Sequence, residues 1–282
     1  MSMLIVNSPD ELRQWRRGAS GTIGFVPTMG ALHEGHMSLV DVSKARHSFT
    51  VVSIFVNPTQ FGPHEDFHRY PRPVEADLAL CRNRGVDVVY MPSVAAMYPP
   101  GCLTAVEPGP VAVRWCGASR PGHFRGVCTI VLKLLHQVQP DSLYLGEKDA
   151  QQVRVIKRMV VDLNLPVSVV GCPIAREEDG LAMSSRNRYL SSVERARASA
   201  LYRGLSAARA SCLAGKVLAR ELENDFRSLL STEGGWDPDY LAIVDDDSLD
   251  PLERVETTGL FLVAARLGTT RLIDNMTLSA HR

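Results

Sequence analysis

Short apolar runs alternate with amphipathic segments along the first two thirds of the chain. The apolar runs are rich in β-branched residues and are bounded by glycine, proline or polar positions: "TIGFV", "FTVVSIFVN", "VDVVYMP", "SLYLG" and "PVSVVGCP". Between them, apolar residues recur at helical spacing in "HMSLVDVSKARH", "VEADLALCRNRG", "GVCTIVLKLLHQVQ" and "AQQVRVIKRMVVDLN". Apolar strands separated by amphipathic helices predict a Rossmann-like α/β fold, a parallel sheet with helices on both faces.

The pattern changes after Pro173. Two long helical segments rich in alanine, arginine and leucine follow, "LSSVERARASALYRGLSAARA" and "LARELENDFRSLLS", and then three short apolar runs, "YLAIVD", "GLFLVAARLG" and "TRLIDNM". A chain of 282 residues has room for two domains of ordinary size. We therefore predict an α/β domain over residues 1–175 and a smaller α+β domain over residues 176–282.

Charge and composition point to a small-molecule partner. Lysine plus arginine and aspartate plus glutamate number 31 each, without a basic block, so we expect neither a nucleic acid nor an anionic membrane as partner. The amino-terminal apolar stretch is too short for a signal sequence, and no run approaches the roughly 18 apolar residues of a membrane span. Six scattered cysteines fit reduced thiols. We expect a cytoplasmic protein.

The stretch "PTMGALHEGHMSLV" joins a predicted strand to a predicted helix and holds two histidines, His33 and His36. A helix that begins there would direct its free N–H groups and the positive end of its dipole toward a ligand, as phosphate sites do. Gly30 and Gly35 would allow a ligand to approach closely, and the imidazoles could donate hydrogen bonds to phosphate oxygens. The alternative for each histidine is a helix cap or a packed side chain.

Other polar positions follow predicted strands. Lys148 and Gln152, in "LYLGEKDAQQ", could contact phosphates and a substrate carboxylate or hydroxyl, whereas Asn57 and Gln60 offer uncharged donors and acceptors. Strand ends of a parallel sheet meet in one crevice. A later loop, "GLAMSSRN", could hold outer phosphates through Ser184, Ser185 and Arg186. The alternatives are a solvated charged turn at Lys148 and a helix-capping serine pair beside a surface arginine.

The motif H-x-G-H after a β-run resembles the signature of the nucleotidyl-transfer superfamily, which includes class I aminoacyl-tRNA synthetases and small cytidylyltransferases. Six blocks together resemble the pantoate–β-alanine ligase family more specifically. They occur in order from about residue 22 to residue 276: "FVPTMGALHEGH", "SIFVNPTQFGPHEDFHRYPR", "ASRPGHFRGV", "LYLGEKDAQQ", "DGLAMSSRNRYLS" and "RLIDN".

This resemblance implies an AMP-forming acid–amine ligase. Members of the family condense pantoate with β-alanine to pantothenate through a pantoyl-adenylate intermediate and release AMP and pyrophosphate. The resemblance therefore implies ATP as a substrate, Mg²⁺ accompanying it, and no metal site built by the protein alone. It also implies a homodimer in which the carboxyl-terminal domain closes as a lid over the nucleotide.

The resemblance also implies the site residues. His36, His33 and Lys148 would be catalytic, with His36 at the position that the family labels as proton donor, although a charge-stabilising role is the simpler account. Gln60 and Gln152 would bind pantoate, with Asn57 nearby. Contacts to ATP are implied for the following positions: Met29, Gly30, Ala31, Leu32, His33, Glu34, Gly35, His36, Gly146, Glu147, Lys148, Asp149, Ala175, Met183, Ser184, Ser185 and Arg186.

Two competing functions stay open at this point. Another adenylyl- or cytidylyl-transferring enzyme could use the same histidines, but one acting on phosphorylated alcohols would need a basic acceptor pocket where Gln60 and Gln152 stand. A non-catalytic nucleotide-binding module would have no reason to keep both histidines, Lys148 and the Ser-Ser-Arg stretch together.

Several further positions receive a structural interpretation. The sequence departs from the family pattern at Ala150, Ala175 and Cys116, which affects packing and the mobility of the "RPGHFRG" loop rather than the reaction. We also expect no special chemistry from three other features: the His64–His68 loop with its acidic neighbours as a charged surface loop, Cys128 as a packed thiol, and the acidic run Asp245, Asp246 and Asp247 as a turn.

Overall fold

A computed structural model describes residues 3–63 and 65–280. The chain divides into two compact units, each described here by itself. The first unit comprises Met1–Glu147 and Val155–Pro173, and the second comprises Lys148–Arg154 and Ile174–Arg282. The boundary that the sequence predicts, after residue 175, remains a prediction. The structure groups the short segment Lys148–Arg154 with the carboxyl-terminal part of the chain.

Strands and helices alternate along most of the chain. The strands, in chain order, are β1 Leu4–Val6, β2 Ile23–Thr28, β3 Phe49–Ile54, β4 Val88–Tyr90, β5 Ser142–Gly146, β6 Ser168–Cys172, β7 Trp236–Val244, β8 Thr258–Leu267 and β9 Thr270–Ser279. The helices are α1 Pro9–Gly18, α2 Glu34–Lys44, α3 Val74–Asn83, α4 Val94–Met97, α5 Cys116–Ser119, α6 His123–Val138, α7 Ala150–Asp162, α8 Ser192–Ala198, α9 Ala200–Leu213 and α10 Ala219–Glu233.

The first unit is built on a six-stranded sheet in the order β1-β4-β3-β2-β5-β6. Every neighbouring pair in this sheet is parallel. The four residues from Ile23 to Val26 on β2 are all buried, as expected for a central strand covered on both faces. Strand order reverses between β2 and β5, so the loops after these two strands flank a topological switch point, where ligands of such sheets bind.

The second unit contains an antiparallel sheet in the order β7-β8-β9, whose strands pair along most of their length. Helices α9 and α10 pack against each other and against this sheet. One buried apolar cluster joins both layers, with Phe226 of α10 in edge-on contact with Phe261 of β8 at a ring-centroid distance of 5.5 Å. Gly204 of α9 faces Phe226 so closely that a Cβ there would lie 2.0 Å from its ring.

The predicted fold class is confirmed: a parallel sheet flanked by helices, followed by a smaller α+β part. One helical segment differs from the prediction. The stretch after Leu190 forms two helices, α8 and α9, separated at Ser199, whose Oγ accepts a hydrogen bond from Arg203. Within the part of the chain that the structure describes, no helix combines the length and apolar character needed to cross a bilayer.

Candidate active site

The loop after β2 has an unusual backbone. Gly30 and Ala31 both have positive φ, 80° and 52°. The left-handed conformation costs an alanine roughly 1–2 kcal/mol, so surrounding contacts must hold it. Thr28 contributes, because its Oγ1 donates to the Ser53 carbonyl at 2.7 Å and accepts from the Gly30 N–H at 3.1 Å.

A buried carboxylate on α3 supplies the strongest of these contacts. Asp77 is 1% exposed and accepts the N–H of Ala31 at 2.9 Å and that of Leu32 at 2.7 Å, one with each oxygen. Two charge-assisted hydrogen bonds therefore fix the backbone that leads into the histidine pair. Asp77 is not among the residues predicted from the sequence. The pattern that points to it is an acidic residue beside Leu78 and four positions before Cys81, on the buried side of a helix.

The histidine pair caps α2. The prediction that a helix begins near His33 is confirmed, since α2 starts at Glu34 and His33 is its N-cap. Nδ1 of His33 accepts the Gly35 N–H at 3.1 Å, and Nδ1 of His36 accepts the His33 N–H at 3.3 Å. The two rings lie 4.1 Å apart between centroids. The capping alternative is therefore also correct, and the cap uses Nδ1 of each ring.

These hydrogen bonds determine the tautomer of both rings. A nitrogen that accepts a hydrogen bond carries no proton, so in each neutral imidazole the proton is on Nε2. Protonation of His36 at Nδ1 would place an N–H against the His33 N–H and break this part of the cap. In the tautomer that accepts these hydrogen bonds, Nε2 of His36 is the donor.

The loop after β3 presents Gln60. Asn57 is 1% exposed and orients this loop: its Nδ2 donates to Gln60 Oε1 at 3.0 Å and to the Gly126 carbonyl at 3.2 Å. Its Oδ1 accepts hydrogen bonds from Thr59 and from the Tyr98 hydroxyl. Direct contact between Asn57 and a substrate remains a prediction, and its bonds in the structure are those of a residue that aims Gln60.

Gln60 also reaches the loop after β2. Its Nε2 lies 3.1 Å from the Met29 sulfur, so the loops that follow two adjacent strands contact each other. Gln60 also lines a cavity of about 320 Å³. Its walls include Thr59, Tyr98 and His123. Small-ligand pockets have volumes of this order.

Close helix packing places the Gln60 backbone. Helix α6 passes next to the turn Pro58–Gln60 at Gly126, where a Cβ would lie 2.3 Å from the Thr59 carbonyl oxygen and 2.7 Å from the Gln60 nitrogen. Only glycine allows this approach, since such distances require the backbone to move.

In Gly126→Ala the added methyl group should displace the turn Pro58–Gln60. We expect the KM of a substrate that binds Gln60 to rise about tenfold and the free energy of unfolding to fall by about 1–3 kcal/mol. Steady-state kinetics and chemical denaturation measure both effects. Gly109→Ala is the matched control, because a Cβ there meets nothing within 4 Å. Equal behaviour of the two variants would contradict the proposed packing.

An ion-pair cluster supports the same turn from the "RPGHFRG" loop. Arg120 contacts both oxygens of Glu65 at 2.7 and 2.6 Å, and His123 Nδ1 lies 2.8 Å from the Gln60 carbonyl. Burial acts to raise the pKa of Glu65, but the hydrogen bonds and positive charge of Arg120 outweigh it and hold that pKa below its usual range. Glu65 is therefore an ionised anchor of this loop.

Most of the remaining predicted residues belong to the second unit, whereas Gly146 and Glu147 belong to the first. Lys148 and Asp149 lie in the 3-10 turn Glu147–Asp149, and Gln152 lies on the first turn of α7. Ser184 caps the 3-10 helix Ser185–Tyr189 by accepting the Arg186 N–H, as the capping alternative predicts. The Ala175 carbonyl accepts the N–H of Met183 at 2.9 Å, so these two predicted ATP contacts are neighbours.

The structure describes most of the positions from which we expect no special chemistry. Asp245 accepts the N–H groups of Asp247 and Ser248 and so forms the predicted turn. Ala150 and Cys116, which depart from the family pattern, are both buried. His64 lies outside the described residues. Across residues 3–63 and 65–280, no group of three or more His, Cys, Asp or Glu side chains could hold a metal ion.

Cys128 is a buried thiol on α6. Burial is the main cause that raises its pKa to about 12, and the negative charge of Glu107 acts in the same direction. We expect Ellman's reagent at pH 8 to modify the exposed Cys102 rapidly and Cys128 only after denaturation, because the thiolate is the reactive form. Cys102→Ser should remove a rapidly reacting thiol. Fast modification of Cys128 in the native protein, located by peptide mapping, would contradict this expectation.

The fold and these loops define a class of protein: a doubly wound α/β protein with a candidate ligand site at the carboxyl ends of its central strands, where a histidine-capped helix begins. The family model described as pantoate-beta-alanine ligase matches residues 4–277. The chain belongs to the pantoate-beta-alanine ligase family, as its sequence motifs predict.

Relatives agree with this assignment. Pantothenate synthetase from Roseiflexus castenholzii is 50% identical over 278 residues, which cover 99% of this chain and 100% of the relative. A bifunctional pantoate ligase/cytidylate kinase from Synechococcus elongatus is 51% identical over 98% of this chain. The chain spans about half the length of that bifunctional relative, 53%.

Solved structures agree as well. The crystal structure of pantothenate synthetase from Thermus thermophilus superposes with a TM-score of 0.93 at 48% identity, over 97% of this chain and 99% of that one. Pantoate-beta-alanine ligase from Francisella tularensis, complexed with beta-gamma ATP and beta-alanine, gives a TM-score of 0.82 at 37% identity, over 98% and 97% of the two chains.

Proposed function

We propose that the protein condenses pantoate with β-alanine to pantothenate at the expense of ATP. The observation that carries the proposal is the pair His33 and His36 at the start of α2, at the end of a loop whose Met29 contacts Gln60, within a family match that covers residues 4–277. The relative from Francisella tularensis that is complexed with an ATP compound and β-alanine supports both ligands.

The proposed reaction has two halves. A pantoate carboxylate oxygen attacks the α-phosphorus of ATP, the bond from that phosphorus to the bridging oxygen breaks, and pyrophosphate leaves with pantoyl adenylate formed. The amine nitrogen of β-alanine then attacks the acyl carbon, AMP leaves with its oxygen, and the nitrogen loses a proton. Adenylation is needed because a carboxylate has no good leaving group.

His33, His36 and Lys148 act on the phosphates in this proposal. The cap bonds keep Nδ1 of each imidazole as an acceptor, so Nε2–H is the group that donates to phosphoryl oxygens. Lys148 supplies a positive charge. Because a carboxylate attacks and a pyrophosphate leaves, charge stabilisation suffices, and His36 does not transfer a proton.

The remaining contacts follow the family pattern. Gln60 and Gln152 hydrogen-bond pantoate without neutralising its nucleophilic carboxylate, and Asn57 orients Gln60. The other ATP contacts are proposed for these positions: Met29, Gly30, Ala31, Leu32, Glu34, Gly35, Gly146, Glu147, Asp149, Ala175, Met183, Ser184, Ser185 and Arg186. The predicted domain over residues 176–282, which carries the last four of these, serves as a lid in this proposal.

Mg²⁺ enters bound to ATP in this proposal. The described residues offer no cluster of side chains that could hold a metal, whereas Mg²⁺ commonly binds through substrate phosphates and water. Bound in that way, it would neutralise phosphate charge.

We also propose a cytoplasmic homodimer. The resemblance to the pantoate-beta-alanine ligase family carries the homodimer. Buried, reduced cysteines such as Cys128 suit a reducing compartment. Light scattering coupled to gel filtration tests the assembly, and a monomer mass at micromolar concentration would refute it.

One experiment tests the function. The protein is incubated with ATP, Mg²⁺, pantoate and β-alanine, and AMP and pyrophosphate are measured with each component omitted in turn. We expect AMP release only with both acids, and pantoate-dependent exchange of labelled pyrophosphate into ATP without β-alanine. AMP release that ignores both acids would refute the proposal. Acceptance of a phosphorylated alcohol instead of pantoate would indicate another nucleotidyltransferase.

A further inference from the structure

Two adjacent polar residues are buried on one strand of the sheet in the second unit. Asp274 and Asn275 lie on β9 and are 3% and 6% exposed. They belong to the motif "RLIDN", to which the proposed function gives no role. Buried polar side chains in a sheet require hydrogen-bond partners, and the partners of these two connect to distant parts of the sequence.

Asn275 holds the turn that carries Lys148. Its amide Nδ2 donates to the Lys148 carbonyl oxygen at 3.1 Å, across 127 positions of sequence. The Lys148 carbonyl belongs to the 3-10 turn Glu147–Asp149, which has only three residues. A hydrogen bond from a sheet residue therefore fixes the backbone from which the lysine side chain extends.

Asp274 holds the segment that leads to the serine loop. Its two oxygens accept hydrogen bonds from Arg176 at 2.7 and 2.9 Å. The same guanidinium donates to the Gly180 carbonyl and stacks over the ring of Tyr202 at 4.6 Å. Arg176 also pairs with Ala182 in an antiparallel bridge. Asp274 thus fixes a hairpin that runs directly into the segment Met183–Arg186.

The Asp274 carboxylate also interacts electrostatically with Lys148. Burial raises the pKa of the Asp274 carboxyl, and the positive charges of Arg176 and Lys148 both act in the opposite direction. The lysine charge therefore acts on the same carboxylate that binds Arg176.

We propose that Asp274 and Asn275 are positioning residues that set the spacing between the Lys148 turn and the Met183–Arg186 segment, so that both can hold one nucleotide triphosphate. This inference rests on the proposed function. The "RLIDN" motif would then hold two proposed phosphate-binding segments in place, the turn at Lys148 and the segment from Met183 to Arg186. Neither Asp274 nor Asn275 needs to touch the nucleotide.

The test is a double-mutant cycle on nucleotide affinity, with Asn275→Ala, Lys148→Ala and the double variant. The dissociation constant of an ATP analogue with an uncleavable α,β-bridge is measured by calorimetry with Mg²⁺ present. If Asn275 acts through Lys148, we expect Asn275→Ala to raise this constant about fivefold alone and less than twofold in the Lys148→Ala background. The KM for pantoate should not change.

Several outcomes separate positioning from stability. Asp239→Asn, which removes an ion pair with Arg271 in the same sheet, is the control and should leave affinity unchanged. Additive effects in the cycle would overturn the inference, as would unchanged affinity in Asn275→Ala. If that variant does not fold, Asn275→Leu, which has a similar size, no amide donor and no added charge, replaces it in the cycle. Wild-type protein without pantoate-dependent exchange would refute the proposed function itself.

Discussion

Replacement of His36 by alanine is expected to lower the rate of pantoate-dependent pyrophosphate exchange by about 10²–10³-fold, the usual cost of removing a donor to a charged transition state. Two losses contribute. The Nε2–H donor disappears, and the His33 N–H loses its acceptor at the start of α2. Loss of an N-cap interaction costs about 0.5–2 kcal/mol, so the variant should fold and the effect should lie mainly in kcat.

His36→Asn separates the two possible roles of the imidazole. Its Oδ1 can accept the His33 N–H and its amide can donate, but it cannot act as an acid. We expect it to keep at least tenfold more activity than His36→Ala, as a charge-stabilising role requires. Activity of the asparagine variant no better than that of the alanine variant would leave proton donation by His36 open.

The pH dependence of the wild-type enzyme gives an independent check. If a neutral His36 is the active form, exchange should not fall as the pH rises between about 6 and 8, where histidines lose their proton. If an imidazolium were the acid, the rate would fall over that range. Ser38→Ala, on the same helix, is the control and should keep the wild-type pH profile. Among the bonds described, its hydroxyl donates only to the Gly35 carbonyl.

Local patterns sufficed to predict the sheet and most of its helices. The five apolar runs of the first domain became β2 to β6 because each is short, apolar and bounded by breakers, and their continuous apolar character indicated a parallel sheet. The short strand β1 was missed, since its three residues look like an amino-terminal apolar patch until β4 pairs with them. Pairing of this kind depends on residues far away in the sequence.

The site was predictable only in part, for the same reason. His33 and Gln60 could be found, because each lies in a short motif that can be recognised from its neighbouring residues alone. Asp77 was missed, because its hydrogen-bond partners Ala31 and Leu32 lie 46 and 45 positions earlier and only its place on the buried side of α3 pointed to it. Asn275 is an equally hidden case, since its partner is a backbone carbonyl. Residues that hold a loop through its backbone leave no pattern in the loop's own sequence.

The second large effect is expected at Asp77. Asp77→Asn keeps the size of the side chain but replaces one acceptor oxygen by an NH₂ group, which must face the N–H of Ala31 or Leu32. Leaving a buried donor unsatisfied costs about 1–3 kcal/mol, and the left-handed Ala31 loses part of what holds it. We expect the free energy of unfolding to fall by about 2–3 kcal/mol and kcat/KM for ATP by about 10²-fold, the cost of misplacing a site by roughly 1 Å.

Chemical denaturation and exchange kinetics at a temperature well below the transition measure the two effects of Asp77→Asn separately. Glu75→Gln, an exposed carboxylate on the same helix, is the matched control and should change neither. A purely structural role would lower stability while the folded fraction kept wild-type kcat/KM. Loss of kcat/KM in fully folded protein would instead mean that Asp77, without touching a ligand, fixes the backbone on which both histidines depend.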